Sequence, residues 1–334
     1  MEPLADADRD LALASMEEGV LLFRADGSLA LANPAAERLL GPATRGVAGL
    51  TPASFQAAVR AAGDAPRRFD LEVGYPPRSV RCTISRVGDA GSILVVARDV
   101  TEAERLDATR RDFVTNASHE LKTPVATIRA TAETRATAAP DDPAAVARFA
   151  ERIEHEALRL SDIVADLLDL SRLEGGSDRD EDVHLDVVLV DEARRLADAA
   201  AAAGVALEVD AAAVPAIAGS ARDLELLVRN LLDNAVRYSE PGGVVRAETT
   251  VDDGAVVLRV ADEGVGIPSR DLSRIFERFY RVDRGRSRDT GGTGLGLAIV
   301  RHVTENHGGT IAVESEYARG TRFEVRFPSQ GGVR

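Results

Sequence analysis

The chain has no tryptophan, one cysteine, two methionines and only 4% aromatic residues, so its cores must be assembled from Ala, Val and Leu. A single cysteine, Cys82, excludes an intramolecular disulfide and fits a reducing compartment. Long apolar runs are missing too: none approaches the roughly 18–20 residues that cross a bilayer. The opening Met1-Glu2-Pro3-Leu4 and the Asp-rich run after it lack the basic and apolar regions of a signal peptide. The chain therefore reads as cytoplasmic, with no membrane segment. A membrane receptor shortened to its inner part would read the same way. Positive charge is in deficit as well. A net charge of -14 withholds the basic face that a phosphate-backbone binder needs, so no nucleic-acid partner is expected. Lysine is the scarcest of the charged residues. Of 41 Lys and Arg residues only Lys122 is lysine, and it lies in Ser118-His119-Glu120-Leu121-Lys122-Thr123-Pro124.

What is present is a folded chain: 334 residues, 45% hydrophobic and 29% charged, enough for two or three domains. Residues 1–100 alternate short apolar runs with turn signals. An Asp26-Gly27 pair between Gly19–Phe23 and Leu29–Ala32 predicts a hairpin, Asn33-Pro34 opens a short helix, and strands follow near 69–73, 79–87 and 92–98. This predicts a small α+β domain with an antiparallel sheet. No histidine precedes residue 119, so this segment supplies no His ligand to haem, and Cys82 in a strand-like run reads as core.

Residues 101–174 change period. Phe113, Ala117, Leu121, Pro124 and Ile128 form one apolar stripe, and Val146, Phe149, Ile153, Ala157, Leu160, Val164 and Leu167 form another. Pro140-Asp141-Asp142-Pro143 separates them, which predicts an antiparallel helical hairpin. One hairpin leaves its stripe half-covered, and a homodimer would close it into a four-helix bundle. Glu174–Asp178 reads as a linker, and residues 175–334 as a second α/β domain. Its helices are expected near 185–203, 220–237 and 293–307, and its strands near 205–209, 244–251, 255–262, 310–315 and 321–327.

Four clusters carry chemistry. At about 100° per residue, His119 falls about 200° from the centre of its stripe, exposed, with Glu120 beside it and Thr123 one turn on. An exposed imidazole next to an acid and a proline defect suits a nucleophile, although an isolated His-Glu pair is usually a solvated surface pair. Asn230, Asn234 and Arg237 share one flank of a helix, where amide oxygens suit Mg²⁺ and the guanidinium suits phosphate. Asp262-Glu263-Gly264-Val265-Gly266 ends a strand, allowing the backbone to approach a flat ligand while the carboxylate accepts an amine hydrogen. Gly291-Gly292-Thr293-Gly294-Leu295-Gly296 precedes a helix, the setting of a phosphate cradle. It is neither a dinucleotide fingerprint nor a Walker loop. Phe276–Arg281 and the charged run 283–289 read as a lid.

In this order the clusters resemble the sensor histidine kinases of two-component signalling. "SHELKTP" is similar to their H box, "NLLDNAVRYS" to the N box, and "DEGVGIP", "IFERFYRVD" and "GGTGLGLAIV" to the G1, F and G2 boxes, over roughly residues 101–328. The pattern is close to that of the phosphate-sensing and mycobacterial SenX-like subgroup, with Arg237 where many members have Lys. The resemblance implies a multidomain protein: an α+β PAS-like sensor at 1–100, a dimerisation and phosphotransfer hairpin at 101–174, and an α/β sandwich ATP-binding domain of the GHKL (Bergerat) type at 175–334. "ANPAAERLLG" and the exit Asp99-Val100-Thr101 carry the looser PAS likeness. It also implies ATP and Mg²⁺ as cofactors and, besides the second copy in the homodimer, a response-regulator receiver domain as partner. His119 is then the phosphorylated residue, Glu120 its general base, and Thr123 the group that orients water when the partner is dephosphorylated. By the same resemblance, Asn230 and Asn234 would hold the metal. Asp262 would bind the adenine amine, and Arg237, Tyr238, Gly264, Gly266, Arg281, Gly292, Thr293, Gly294, Leu295 and Gly296 would complete the nucleotide site. Three rivals are an enzyme acting mostly as a phosphatase, a GHKL-type ATPase machine, which gives His119 no purpose, and a non-catalytic scaffold, which predicts defective boxes.

Overall fold

The computed structural model describes residues 6–41, 46–138, 143–175, 181–282 and 292–329. Among them, two compact units divide the chain, 1–112 and 113–334. The linker expected at Glu174–Asp178 lies outside the described residues beyond Gly175, as do the charged run 283–289 and Gly291.

The first unit holds helix α1 (Asp6–Ser15), strands β1 (Gly19–Phe23) and β2 (Leu29–Ala32), helices α2 (Pro34–Leu40) and α3 (Ala53–Arg60), and strands β3 (Arg67–Val73), β4 (Arg78–Val87) and β5 (Ser92–Asp99). The strands form one antiparallel sheet in the order β2-β1-β5-β4-β3. Asp26 and Gly27 make the predicted turn: Gly27 has φ 83°, and the Asp26 carboxylate accepts from Ser28 N–H at 2.8 Å. Asn33 is 2% exposed and fully used. Its Oδ1 accepts from Ala36 and Val20 N–H, and its Nδ2 donates to the carbonyls of Leu13 and Glu18, tying α1, β1 and the start of α2 together. Strict alternation in β4 turns Val80, Cys82 and Ile84 into a core shared with Leu21, Phe23 and Phe55. Burial pushes the Cys82 thiol up to about 12, with Asp70 adding to it, so it is an inert core residue. At the sheet exit, Asp99 accepts from Thr101 N–H at 3.0 Å, and Arg81 donates to Asp70 and Glu104, which fixes the first turn of helix α4 (Thr101–Ala138).

The second unit contains the rest of α4, helix α5 (Pro143–Glu174) and an α/β lobe. The lobe comprises β6 (Glu181–Val183), α6 (Leu185–Ala202), β7 (Ala206–Ala211), β8 (Ile217–Gly219), α7 (Ala221–Tyr238), β9 (Val244–Asp252), β10 (Ala255–Asp262), α8 (Gly296–Asn306), β11 (Thr310–Glu316) and β12 (Gly320–Pro328). The expected helix at 293–307 thus starts three residues later. Its sheet runs β11-β12-β10-β9-β7, antiparallel except for the parallel β7–β9 pair, and β6 pairs with β8 separately. Inward residues Leu224, Leu227, Val228 and Leu231 of α7 pack with Val256, Leu258 and Val260 of β10 and with Ile299 and Val303 of α8. On the sheet's outer face Arg259 lies between its cross-strand neighbours Glu248 and Glu324 at 2.9 and 2.6 Å. Leu170 and Leu173 of α5 join this core, with Phe113 and Ala117 of α4 packed against it. Glu120 of α4 meets Arg159 of α5 at 3.3 Å, about equally far on either side of the break between the helices, as an antiparallel hairpin requires. No helix among the described residues is long and apolar enough to cross a membrane.

Candidate active site

A cavity of about 610 Å³ opens between α7, the loop after β10, the segment leading into α8, and the last turns of α5. Its size suits a nucleotide-sized ligand. Asn230, Asn234, Arg237, Tyr238, Asp262, Gly266, Arg281, Gly292, Thr293, Gly294 and Gly296 all line it. Residues that the sequence spreads over 67 positions therefore meet in one place.

Each wall has a local cause. Helix α7 begins at an N-cap, Ser220, and buries its leucine face, which leaves Asn230 and Asn234 on the flank toward the cavity. Asn230 Nδ2 donates to the Leu226 carbonyl at 2.8 Å, so its Oδ1 faces the start of α8, where a Cβ on Gly296 would lie 2.4 Å from it. That oriented amide oxygen, with the one on Asn234, fits a hard cation that keeps several waters. The two Gly after Asp262 serve close approach. A Cβ at Gly264 would sit 2.2 Å from the Tyr238 carbonyl, and Gly266 has φ 64°. Asp262 Oδ1 accepts from the N–H of Gly264 at 2.9 Å and of Thr321 at 3.2 Å, leaving Oδ2 for a ligand amine. Burial raises the Asp262 carboxyl above its ordinary range, and these two amides oppose the rise.

Gly264 and Leu295 do not line the cavity. Gly264 acts through packing, and the fully buried Leu295 side chain anchors the segment in the core while its N–H is bonded to Thr293 Oγ1 at 3.2 Å. Gly294, at φ 75°, is held by Phe279 N–H on its carbonyl at 2.8 Å.

His119, Glu120 and Thr123 lie on α4, outside the cavity lining. The His119 ring is exposed and makes no hydrogen bond among the described residues. Glu120 is paired with Arg159, a nearly buried residue, instead of meeting the imidazole. Thr123 Oγ1 donates to the His119 carbonyl at 3.1 Å. Burial lowers the Arg281 guanidinium pKa. Tyr238 and Glu120 oppose that shift and Arg159 and Arg237 add to it, so Arg281 lies within electrostatic reach of both the cavity and the His119 segment.

Sequence reasoning missed the acidic wall. Asp162, Asp166 and Asp169 of α5 and Asp233 of α7 line the cavity. Asp166 accepts from Thr293 Oγ1 at 2.6 Å, coupling α5 to the Gly-rich segment. Further contacts bind the same helix end: Arg172 to buried Asp223 at 2.6 Å, and Arg278 to Glu174 at 2.6 Å. Asp233 was findable, since it stands between the two asparagines. Asp166 had no signal, because its partner is 127 positions away.

The comparisons bear on this geometry. Residues 219–331 match the family of histidine kinase-, DNA gyrase B- and HSP90-like ATPases, and residues 109–176 match the His Kinase A (phospho-acceptor) domain. The sensor-like histidine kinase SenX3 of Mycolicibacterium smegmatis is 42% identical over 266 residues, covering 77% of this chain and 69% of that protein. The chain is a sensor histidine kinase. The phosphate regulon sensor protein PhoR of Pseudomonas aeruginosa is 32% identical to this kinase over 326 residues, covering 95% of the chain and 73% of PhoR. In fold, the kinase is similar to the histidine kinase ThkA solved in complex with the response regulator protein TrrA, with TM-score 0.53 and 19% identity over 97% of this chain and 99% of that one. A sensor histidine kinase binds ATP and transfers its γ-phosphoryl group to a histidine, and the GHKL-type lobe described above is the ATP-binding part. The machine-like ATPase alternative is set aside, because a phospho-acceptor domain accompanies the ATPase lobe.

Proposed function

We propose that His119 is the histidine that takes the γ-phosphoryl group, and that this kinase passes it to an aspartate of a response-regulator receiver domain. The observation that carries the reading is that Asn230, Asn234, Asp262 and the Gly292–Gly296 segment converge on one cavity, in a unit whose long helix presents His119 to solvent. Asp262 would hold the adenine amine. Arg237 and Arg281 would neutralise phosphate charge, and the amides at the start of α8 would cradle it. Asn230 and Asn234 would hold Mg²⁺, which supplies charge neutralisation on the phosphates when bound. Glu120, released from Arg159, would draw the imidazole proton as the nitrogen attacks phosphorus; the bond to the bridging oxygen breaks and ADP leaves. Thr123 would orient water in the reverse, dephosphorylating role. We further assign residues 1–100 as a PAS-like sensor, 101–174 as the phosphotransfer hairpin and 175–334 as the catalytic domain. The hairpin would be completed as a four-helix bundle by a second copy. Its uncovered apolar residues support this, with Val125, Leu158 and Leu168 at 52%, 62% and 66% exposure.

Incubation of the full chain with γ-labelled ATP and Mg²⁺ tests the assignment. Acid-labile, base-stable label should appear on the protein and be lost in His119→Gln. Label that persists in that variant would overturn it.

A further inference from the structure

The loop from Asp262 to Ile267 is clamped between two tyrosine-bearing segments. On one side, Val265 N–H donates to the Tyr238 carbonyl at 3.2 Å, and only a glycine at 264 allows that approach. On the other, the Val265 carbonyl accepts Ala318 N–H at 2.8 Å, and a Cβ at Gly266 would sit 2.1 Å from the Glu316 carbonyl and 3.0 Å from Tyr317 Cα. The turn of the β11–β12 hairpin is thereby fixed onto the loop, with Ala318 in the left-handed region at φ 63°. Tyr238 and Tyr317 both line the cavity. Tyr317 is 65% exposed and has no ring partner among the described residues, so the hairpin tip holds an aromatic residue at the cavity without a stacking partner among them. A solvated hairpin tip needs neither an aromatic residue nor a backbone clamp that fixes it at a cavity. Ile267 and Phe323 supply apolar surface to the same cavity, and Asp262, whose Oδ2 is left for an amine, belongs to the same loop.

We propose that Tyr317 is a base-binding residue, its ring stacking on the purine whose amine Asp262 reads. This rests on the reading of the cavity as the nucleotide site. Flat aromatic rings stack on purines through dispersion and desolvation, and the contact needs no hydrogen bond from the phenol. Phenylalanine should therefore replace Tyr317 without loss, whereas alanine should not.

ADP titration of the full chain by calorimetry is the test. Tyr317→Ala should weaken ADP binding about tenfold, the scale of one base stacked on an aromatic ring, and Tyr317→Phe should stay within about twofold of the unaltered chain. In autophosphorylation, Tyr317→Ala should raise the KM for ATP and leave the rate at saturation unchanged, the pattern of a contact equally strong in ground and transition states. Because the chain has no tryptophan, Tyr317→Trp introduces its only indole. The emission of that variant should change with ADP and stay constant with inorganic tripolyphosphate, which lacks the base. Equal ADP affinity in Tyr317→Ala and the unaltered chain would overturn the proposal while leaving the nucleotide site intact. So would an indole that responds equally to ADP and tripolyphosphate. An unaltered chain that fails to bind ADP would overturn the nucleotide reading itself, and the proposal with it.

Discussion

Thr123 spends its hydroxyl on the carbonyl of His119, one turn back, within a helix where Ser118, Thr127 and Thr134 do likewise. Such back-bonding slightly bends helices, and Pro124 removes a further backbone donor at the same place, so the segment around His119 is locally deformable. Rotation about one side-chain bond frees the Thr123 hydroxyl for water. Thr123→Ala should therefore leave autophosphorylation within about twofold and reduce dephosphorylation of the regulator on the order of tenfold or more, in line with the loss of one positioned hydrogen bond. Label release from phosphorylated regulator, measured beside autophosphorylation, checks this; equal loss of both activities would remove the water-positioning role. At this scale the sequence was informative about identity and silent about partners. Asn230, Asn234 and Asp262, singled out from their motifs, line one cavity. The engagement of Glu120 by Arg159 was hidden, because an arginine within an apolar seam looks like any other charged residue until the facing helix is known. His307 was equally hidden. It is 5% exposed, and its Nε2 accepts Ser220 N–H at 3.1 Å, contacts made only in the fold.

Among elements, the end of α5 is both a core helix and a wall of the cavity. Its Asp166 holds Thr293, the hydroxyl residue of the Gly-rich segment, so a carboxylate stands beside the segment proposed to cradle phosphate. Burial holds the Asp166 carboxyl above the usual carboxylate range, opposed by the Thr293 bond and reinforced by Asp162 and Asp169. The folded chain then binds this proton more tightly than the unfolded one. Stability is lost as pH rises from the ordinary carboxylate value through the raised one, and the full cost is present at neutral pH. Asp166→Asn keeps an acceptor for Thr293 and removes the charge. Without nucleotide, its Tm should exceed that of the unaltered chain by about 2–4 °C near pH 8, and the gap should close near pH 4. A gap that widens toward acid pH would refute the assignment of the cost to this carboxylate. Regular elements with a clear period, such as β4 and α7, were legible in the sequence. α3 was not, since its only fully buried apolar side chains are Phe55 and Val59, too few to set a period. Nor were β6 and β8, because three residues each cannot display alternation.

Over the whole molecule, the apolar residues left uncovered on α4 and α5 are what supports the proposed pairing of two copies. Leu158 and Leu168 are ten positions apart on one side of α5 and largely exposed in the single chain. Burying a leucine contributes about 1.5–3 kcal/mol, and a symmetric dimer buries each of them twice. The double substitution Leu158→Asp and Leu168→Asp should weaken dimerisation by at least about a thousandfold, which light scattering reads as a change from dimer to monomer. A dimer that persists would place the interface elsewhere. The near absence of lysine has a consequence at this scale too. With Lys122 exposed on α4, three positions after His119, the folded chain offers a single ε-amino group to reagents and to enzymes that modify lysine. Any acyl group, tag or crosslink delivered to a lysine side chain has one address, one helical turn from the histidine proposed to carry the phosphoryl group.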